Sequence, residues 1–314
     1  MTQLPPALIP SPGERGLATS DPERLAASVA QSWALFGAMV DDVDLDAVSR
    51  AKGLTAREVV IPLGAWDDNR PLPALLEEAR RGVVGDHDQG ALVDAVRSAH
   101  RHESDTAIRE ALRRQGEDME SFLFGPDVDE LGGAPVASML GTLPVVTFLH
   151  AATYPLATSA LDLERAGARV PEVLLDNGLL GLVDTIGALA ARQGLTASIA
   201  AITPGRVVAT GATGGAWRTA LLDAESLDGD LPDAAGPSAE GSARLILDIT
   251  SGRADIPTAI RRREVAVHDL AGLLALAPVV EQVPGIPGRA ALVGAIRATS
   301  VLAGAWRRLP LPRR

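Results

Sequence analysis

One stretch, from Val145 to Arg165, constrains the fold of this 314-residue chain more than any other. Its apolar side chains recur every three or four positions, the spacing of one buried helix face: Val145, Phe148, Leu149, Ala152, Leu156, Ala160 and Leu163. A helix of this kind packs against other helices. Pro155 lies near the middle and has no backbone N–H, so we predict a kink there or a restart capped by Thr153. The chain should therefore contain a helical bundle built around an interrupted helix.

Capping signals predict further helices on both sides of this stretch. Ser20 or Asp21 followed by Pro22 is typical of a helix N-terminus. Thr55 with Glu58 three residues later forms the pattern of a capping box. Apolar periodicity predicts the remaining helices at 69–81, 91–102, 104–124 and 171–192.

The pattern changes after residue 169. Apolar or alternating runs separated by Pro-Gly and Gly-Gly signals predict three hairpin-connected strands, at 196–202, 206–213 and 216–222. The next predicted elements are a capped helix at 238–252, an edge strand at 265–268, and helices at 270–277 and 289–308. The first twenty residues are rich in proline, which predicts a loosely held arm. Helices followed by strands are the order typical of an α+β protein.

Three runs resemble a known pair of domains. The run from Tyr154 to Leu163 resembles the last bundle helix of the DinB-like, mycothiol-dependent maleylpyruvate isomerase family, and the run from Ser49 to Trp66 is similar to that family's other recognisable motif. SARLILDITSGRADIP followed by VAVHDLAGLLAL resembles the sterol-carrier-like domain often paired with it. After the proline-rich arm, expected to be flexible at 1–20, the resemblance implies an α+β fold: a DinB-like four-helix bundle at 21–169 and a sterol-carrier-like α/β domain at 170–314.

In the resembled family these two motifs carry a metal site. It consists of a His in the first motif and, one helical turn apart, a Glu and a His in the second. The corresponding positions here are Pro62, Pro155 and Ser159. Proline has no ligating side-chain atom, and one hydroxyl is a poor zinc ligand. The resemblance therefore implies the scaffold without the metal. Because empty volume in a protein interior is costly, we expect neighbouring large side chains to leave a narrowed, mostly apolar pocket in place of the site.

Two residues of the interrupted helix are candidate catalytic groups. His150 lies on an apolar face, where a histidine is usually a hydrogen-bonded core residue. In the absence of a metal it would have to activate a thiol alone, as a general base. Asp162 lies near a helix C-terminus, where the helix dipole disfavours a carboxylate, so we expect an arginine partner. Arg165 is close enough in sequence to be that partner.

The candidate cofactor-binding residues come from both halves of the chain. Arg57 and Trp66 flank the vacant metal position, although residues of these types are more often structural. Arg253 and His268 are expected at the mouth of a cavity in the second domain. Another pair, His100 and His102, is expected to be exposed at a helix end, because residues two apart on a helix face different ways.

Composition excludes several classes of function. A formal net charge of −11 argues against nucleic acid and anionic membranes as partners. The chain has no cysteine, so thiol chemistry needs an external thiol, which is mycothiol in the resembled family. There is no evident signal peptide and no uninterrupted apolar run long enough to cross a bilayer, so we expect a cytoplasmic protein without membrane insertion. Walker, Rossmann and nucleophile-elbow motifs are absent.

These observations lead to one expected function and two alternatives. We expect a metal-free relative of the isomerases that binds a small or apolar ligand between its helices or domains, with no cofactor other than mycothiol. A working mycothiol-dependent isomerase or transferase is the first alternative. A protein-interaction module is the second. The sequence indicates neither the identity of the ligand nor the oligomeric state.

Overall fold

The computed structural model describes residues 4–82, 89–138, 141–223 and 237–269, with the isolated positions 272, 276 and 279. A helical N-terminal region is followed by a sheet-containing C-terminal region, so the predicted α+β class is confirmed. The helices are α1 Leu17–Ser20, α2 Pro22–Asp41, α3 Ala56–Val60, α4 Pro71–Arg81, α5 Gln89–His100, α6 Asp105–Leu123, α7 Asp127–Leu131, α8 Val145–Ala151, α9 Thr153–Asp162, α10 Glu172–Arg192, α11 Ala243–Thr250 and α12 Ile256–Arg261. The strands are β1 Pro135–Val136, β2 Leu143–Pro144, β3 Ala197–Thr203, β4 Arg206–Thr213, β5 Ala216–Asp223, β6 Ser238–Gly241 and β7 Val265–His268.

The interrupted helix is two helices, α8 and α9, that meet at Ala152. Pro155 is the third residue of α9, where a backbone N–H has no partner within the helix. The predicted restart is therefore confirmed, and the proline disturbs no helical hydrogen bond. The predicted cap is wrong: the Thr153 hydroxyl donates to the carbonyls of His150 (2.7 Å) and Asn177 (3.1 Å), closing the end of α8.

Helix α10 belongs to both halves of the fold. It packs against α2, α8 and α9 on one side and against β3, β4 and β5 on the other. The same apolar core continues from the helices to Ala201 and Val208 in the sheet and to Leu247 in α11. By length and composition α10 would suffice to cross a membrane, but 72% of its apolar window is buried inside the protein. Because α10 packs on both halves, the division at residue 169 stays a prediction.

The C-terminal region contains a five-stranded sheet in the order β5-β4-β3-β6-β7. The three hairpin-connected strands β3, β4 and β5 are antiparallel, as predicted, and β7 is the expected edge strand. The sequence reading of 238–252 as one helix is wrong at its start. Residues 238–241 form β6, which pairs in parallel with β3, and the helix begins only after Ser242, whose side chain accepts from the Leu245 N–H.

The N-terminal segment is not the flexible arm expected from its prolines. Leu4, Leu8 and Leu17 are buried, and Leu8 lies against Gly211 on the face of the sheet that α10 does not cover. The Gly16 N–H donates to the carbonyl of Trp217 at 2.8 Å, which fixes the segment beside β5. Proline prevents a long helix here, but it does not prevent packing, and the apolar second face of the sheet needs a cover.

The reading of 125–141 as a plain loop is wrong, because α7 and the β1–β2 hairpin lie in or beside it.

Other predictions fall partly or wholly outside the described ranges. The loop around His87, the helix at 270–277 apart from positions 272 and 276, and the helix at 289–308 lie outside the described residues.

Candidate functional site

A cleft of about 360 Å³ opens between α2, α10 and the sheet. Its inner wall is apolar and mostly buried, and comprises Leu179, Leu180, Val208 and Leu221. Its mouth carries Arg24, Gln31, Asp176, Asn177 and Arg206, with Ala27 and Val173 exposed beside them. Polar and apolar groups contribute about equally to the surface of this open cleft.

Regular secondary structure places the main groups of the cleft. Asp176 and Leu180 lie one turn apart on α10, so both face the sheet. Arg206 and Val208 are two residues apart on β4, so their side chains lie on the same face of the sheet. The Asn177 amide nitrogen donates to the Ser28 carbonyl and the Gln31 side chain, each at 3.3 Å, and so fixes α10 against α2.

The charged pair at the mouth is Asp176 and Arg206, with 2.8 Å between carboxylate oxygen and guanidinium nitrogen. Burial raises the pKa of Asp176 above its ordinary value; Arg206 opposes this effect and nearby Glu172 adds to it. Arg24, at the other side of the mouth, pairs with Asp21 at 3.1 Å. Two guanidinium groups and one carboxylate therefore face the cleft.

A second polar centre lies buried between α8, α10 and β5. Asp184 accepts at one carboxylate oxygen from the Nδ1 of His150, at 2.9 Å. Its other oxygen accepts from the Trp217 indole N–H at 3.0 Å, the Thr219 hydroxyl at 2.6 Å and the Leu17 backbone N–H at 3.4 Å. Neither His150 nor Asp184 is exposed to solvent. This network joins the helical region, the sheet and the N-terminal segment.

The charge on Asp184 determines which ring nitrogen of His150 carries a proton. Burial raises the pKa of Asp184, but the hydrogen bonds from His150, Thr219 and Trp217 outweigh it and hold that pKa below its ordinary value. Because Asp184 is ionised and accepts, the Nδ1 of His150 carries the proton. The Nε2 atom of His150 is buried and has no hydrogen-bond partner in the part of the chain that the structure describes. A carboxylate that orients an imidazole in this way is typical of a general base.

The cleft and the buried centre lie in the same layer between α10 and the sheet. Leu180 on the cleft wall precedes Asp184 by one turn of α10. Leu221 on the wall and Thr219 in the network are two residues apart on one face of β5. The apolar wall thus separates the solvent-facing cleft from the His150 centre.

Two sequence-predicted residues, Arg57 and Trp66, have structural contacts. Arg57 pairs with Asp46 at 3.0 Å and also with Asp105. Trp66 is buried and stacks on His100, with 3.9 Å between ring centroids and 7° between planes. His100 is therefore buried, contrary to the expectation that it is exposed, because the indole covers it. A cofactor-binding role for Arg57 and Trp66 stays a prediction.

Of the six sequence-predicted site residues, the structure joins Asp162 to Arg253. The guanidinium of Arg253 contacts both carboxylate oxygens, with 2.7 Å between Nε and Oδ1. The expected arginine partner of Asp162 is thus confirmed, and it is Arg253 instead of the nearby Arg165. His268 pairs with Glu240 across β6 and β7 at 2.9 Å, and neither Arg253 nor His268 lines the cleft.

Sequence reasoning missed the partners that complete the two sites. Asp176 and Asp184 interrupt the otherwise apolar α10, and that interruption was the available signal. Arg206 and Trp217 lie in strands that look like ordinary members of a hairpin. Only tertiary structure places these residues opposite the carboxylates of α10.

The three positions at which the sequence resemblance implies a metal site, Pro62, Pro155 and Ser159, do not fit a metal. Pro155 is exposed, and Pro62 and Ser159 are half-buried, so no closed apolar pocket surrounds the proline of α9. The only possible ligand among them is the Ser159 hydroxyl. Across the described ranges no cluster of three or more His, Asp or Glu side chains is arranged for a metal ion.

No family model matches this chain, and no curated protein matches it. Two solved structures are similar to it: a crystal structure of the mycothiol-dependent maleylpyruvate isomerase (14% identical, TM-score 0.47) and one of a point mutant of that enzyme (15% identical, TM-score 0.49). Each comparison covers 76% of this chain and 92% of the matched chain.

Proposed function

We propose that this chain is a relative of the mycothiol-dependent maleylpyruvate isomerases in which ligand binding has replaced metal-dependent catalysis. The ligand occupies the cleft between α2, α10 and the sheet. The observation that carries the proposal is the cleft itself, in which an apolar inner wall and a polar mouth border a volume of about 360 Å³.

The lack of metal-ligating side chains supports the proposal that ligand binding has replaced metal-dependent catalysis. The family's reaction, as the sequence resemblance implies it, needs a metal held by two imidazoles and a carboxylate. Pro62 and Pro155 provide no ligand atom, and Ser159 provides only a hydroxyl. We therefore derive no catalytic step that passes through a metal in this protein.

The test is calorimetric titration with anilinonaphthalene sulfonate, a probe with an apolar ring system and one sulfonate. Wild-type protein should bind it saturably at one site. Ala27→Trp places an indole at the exposed edge of the cleft without disturbing the core, so it should weaken binding by about tenfold or more. Ala38→Trp is the matched control, because Ala38 is exposed on the same helix and lies outside the cleft lining. Equal affinities for the two variants would contradict the proposal.

The buried dyad favours a second candidate function, a thiol-dependent isomerase or transferase without a metal. Asp184 orients His150, whose Nε2 has no partner in the described part of the protein, as a base that deprotonates a thiol requires. The apolar wall would have to open, because His150 is fully buried. Mycothiol-dependent isomerisation of maleylpyruvate by wild type, lost in His150→Gln, would support this function; absence of turnover in wild type would remove it.

A further inference from the structure

We infer that residues 11–17 are a strap that opens and closes over the buried Asp184 while the rest of the fold stays intact. This inference concerns the buried centre and depends neither on the cleft nor on the proposed function. In the closed form the strap lies along the edge of β5 and covers the Asp184 carboxylate. In the open form, water and small reactants reach Asp184, which orients His150.

The strap is a single layer of backbone between Asp184 and solvent. A Cβ on Gly16 would lie 2.1 Å from the Asp184 carboxylate and 2.1 Å from the Trp217 indole nitrogen, so the strap rests directly on the buried centre. The neighbouring Gly13 and Arg15 are exposed, and the outer side of the strap therefore faces water. Moving this one segment is enough to hydrate the carboxylate.

Polar contacts provide most of the hold on the strap. The Gly16 N–H donates to the Trp217 carbonyl at 2.8 Å, and the Trp217 N–H donates to the Glu14 carbonyl at 3.1 Å. The Arg218 guanidinium donates to both carboxylate oxygens of Glu14, at 2.8 and 2.9 Å. Leu17 adds a large buried apolar side chain. Because water can replace polar contacts of this kind, opening the strap costs less than unfolding the helices or the sheet.

Two glycines flank the anchored pair of Glu14 and Arg15. The φ angles of Gly13 and Gly16 are +79° and +55°, in the region that favours glycine. Glycine adopts new backbone angles at little steric cost, and hinge residues are often small. The strap can therefore turn about Gly13 and Gly16 without moving β5.

The buried centre loses little when the strap opens. Of the hydrogen bonds to the Asp184 carboxylate, the strap provides the longest, from the Leu17 N–H at 3.4 Å. The bonds from His150, Trp217 and Thr219 come from α8 and β5 and do not depend on the strap. Water that reaches an ionised carboxylate stabilises its charge. The open form therefore keeps His150 oriented and adds solvent to the Asp184 side.

The experiment is native-state hydrogen exchange of the full chain, followed by NMR at urea concentrations below the unfolding transition. The Gly16 N–H reports the strap, the Trp217 indole N–H reports hydration of the centre, and the Val208 N–H in the middle of the sheet reports global unfolding. We expect Gly16 to exchange at least about tenfold faster than Val208. Exchange at Gly16 and at the indole should depend weakly on urea, because local opening exposes little surface.

Three variants separate local opening from global unfolding. Glu14→Gln weakens the anchor and should speed exchange at Gly16 and at the Trp217 indole by about threefold or more. Glu110→Gln removes a carboxylate from an exposed pair on α6 and should change neither rate. Arg253→Met destabilises the closed and open forms equally, so it should speed exchange at Val208 and leave both reporters unchanged.

Two results would overturn the inference. If Gly16 and the Trp217 indole exchange with the urea dependence of Val208 and are accelerated by Arg253→Met, the strap opens only when the whole protein unfolds. If Gly16 exchanges locally but the Trp217 indole exchanges only on global unfolding, the strap moves without opening the centre. Neither result bears on ligand binding in the cleft, so the proposed function is tested separately.

Discussion

Arg253 holds Asp162 by both carboxylate oxygens, with 2.7 Å between its Nε and Oδ1. The carboxylate lies at the last residue of α9, and the guanidinium comes from the turn after α11. Asp162 is almost completely buried, and about a quarter of the Arg253 side chain is exposed. The Arg50 backbone N–H also donates to the Asp162 carbonyl at 2.7 Å. This pair therefore links the helical region to the C-terminal region.

Arg253→Met should lower the free energy of unfolding by about 2–3 kcal/mol. This is below the roughly 3–5 kcal/mol of a fully buried broken pair, because water reaches one side of the guanidinium. Urea unfolding followed by circular dichroism measures the loss. Arg113→Met is the control, since Arg113 pairs with glutamates on the exposed face of α6 and should change little. A similar loss for both variants would show that the Asp162–Arg253 pair stabilises the fold no more than an exposed ion pair does.

Gly16 should tolerate alanine much less well than Gly13. Both glycines have positive φ, but a Cβ on Gly16 would lie 2.1 Å from both the Asp184 carboxylate and the Trp217 indole nitrogen, whereas Gly13 has open space. Gly13→Ala should cost about 1–2 kcal/mol for its backbone conformation alone. Gly16→Ala adds the clash with the buried network and should cost more than about 3 kcal/mol. Thermal and urea unfolding of the two variants measure the difference. Equal losses would mean that the N-terminal segment shifts to accommodate the added Cβ at little cost.

The free energy of unfolding in acid should depend on the protonation of the buried Asp184 carboxylate. The pKa of Asp184 in the folded protein lies below its ordinary value. Its contribution to the free energy of unfolding is therefore complete above the ordinary pKa and is lost as pH falls through the folded-state pKa. The stability difference between wild type and Asp184→Asn should therefore be constant at neutral pH and shrink progressively below about pH 5. Urea unfolding across this pH range measures it. Should the variant not fold, carbon NMR of the wild-type Asp184 carboxyl measures the pKa directly; an ordinary or raised pKa contradicts the account.

Pro155 should be nearly neutral for stability. It is the third residue of α9, so Pro155→Ala restores no helical hydrogen bond and should change the free energy of unfolding by less than about 1 kcal/mol. Ser159→Pro places a proline within the same helix and should cost about 3 kcal/mol. If Pro155→Ala instead stabilises the protein by a comparable amount, the proline strains a continuous helix.

Local signals in the sequence were enough for most of the fold. The turn at Pro204-Gly205 and the pair Gly214-Gly215 delimit β3, β4 and β5, and all three strands lie within one residue of their predicted ends. The Thr55–Glu58 capping box is present as predicted. These features depend on residues that are close in the chain, which is why they can be read from it.

Long-range pairing explains what the sequence did not reveal. Strand β6 has four small or polar residues and exists because it pairs in parallel with β3. The partners His150 and Asp184 are 34 positions apart, and Asp162 and Arg253 are 91 apart. Chemistry indicated that Asp162 needed a cation, but only the packing of α11 against α9 selects Arg253.

Native mass spectrometry of the full chain, purified in buffer that contains zinc, tests the central claim most directly. The claim is that a ligand cleft has replaced the metal site. We predict a protein without bound zinc that carries a small organic molecule, displaced by anilinonaphthalene sulfonate in wild type and lost in Ala27→Trp. One zinc ion per chain, retained in Ala27→Trp and absent in Ser159→Ala, would contradict the account.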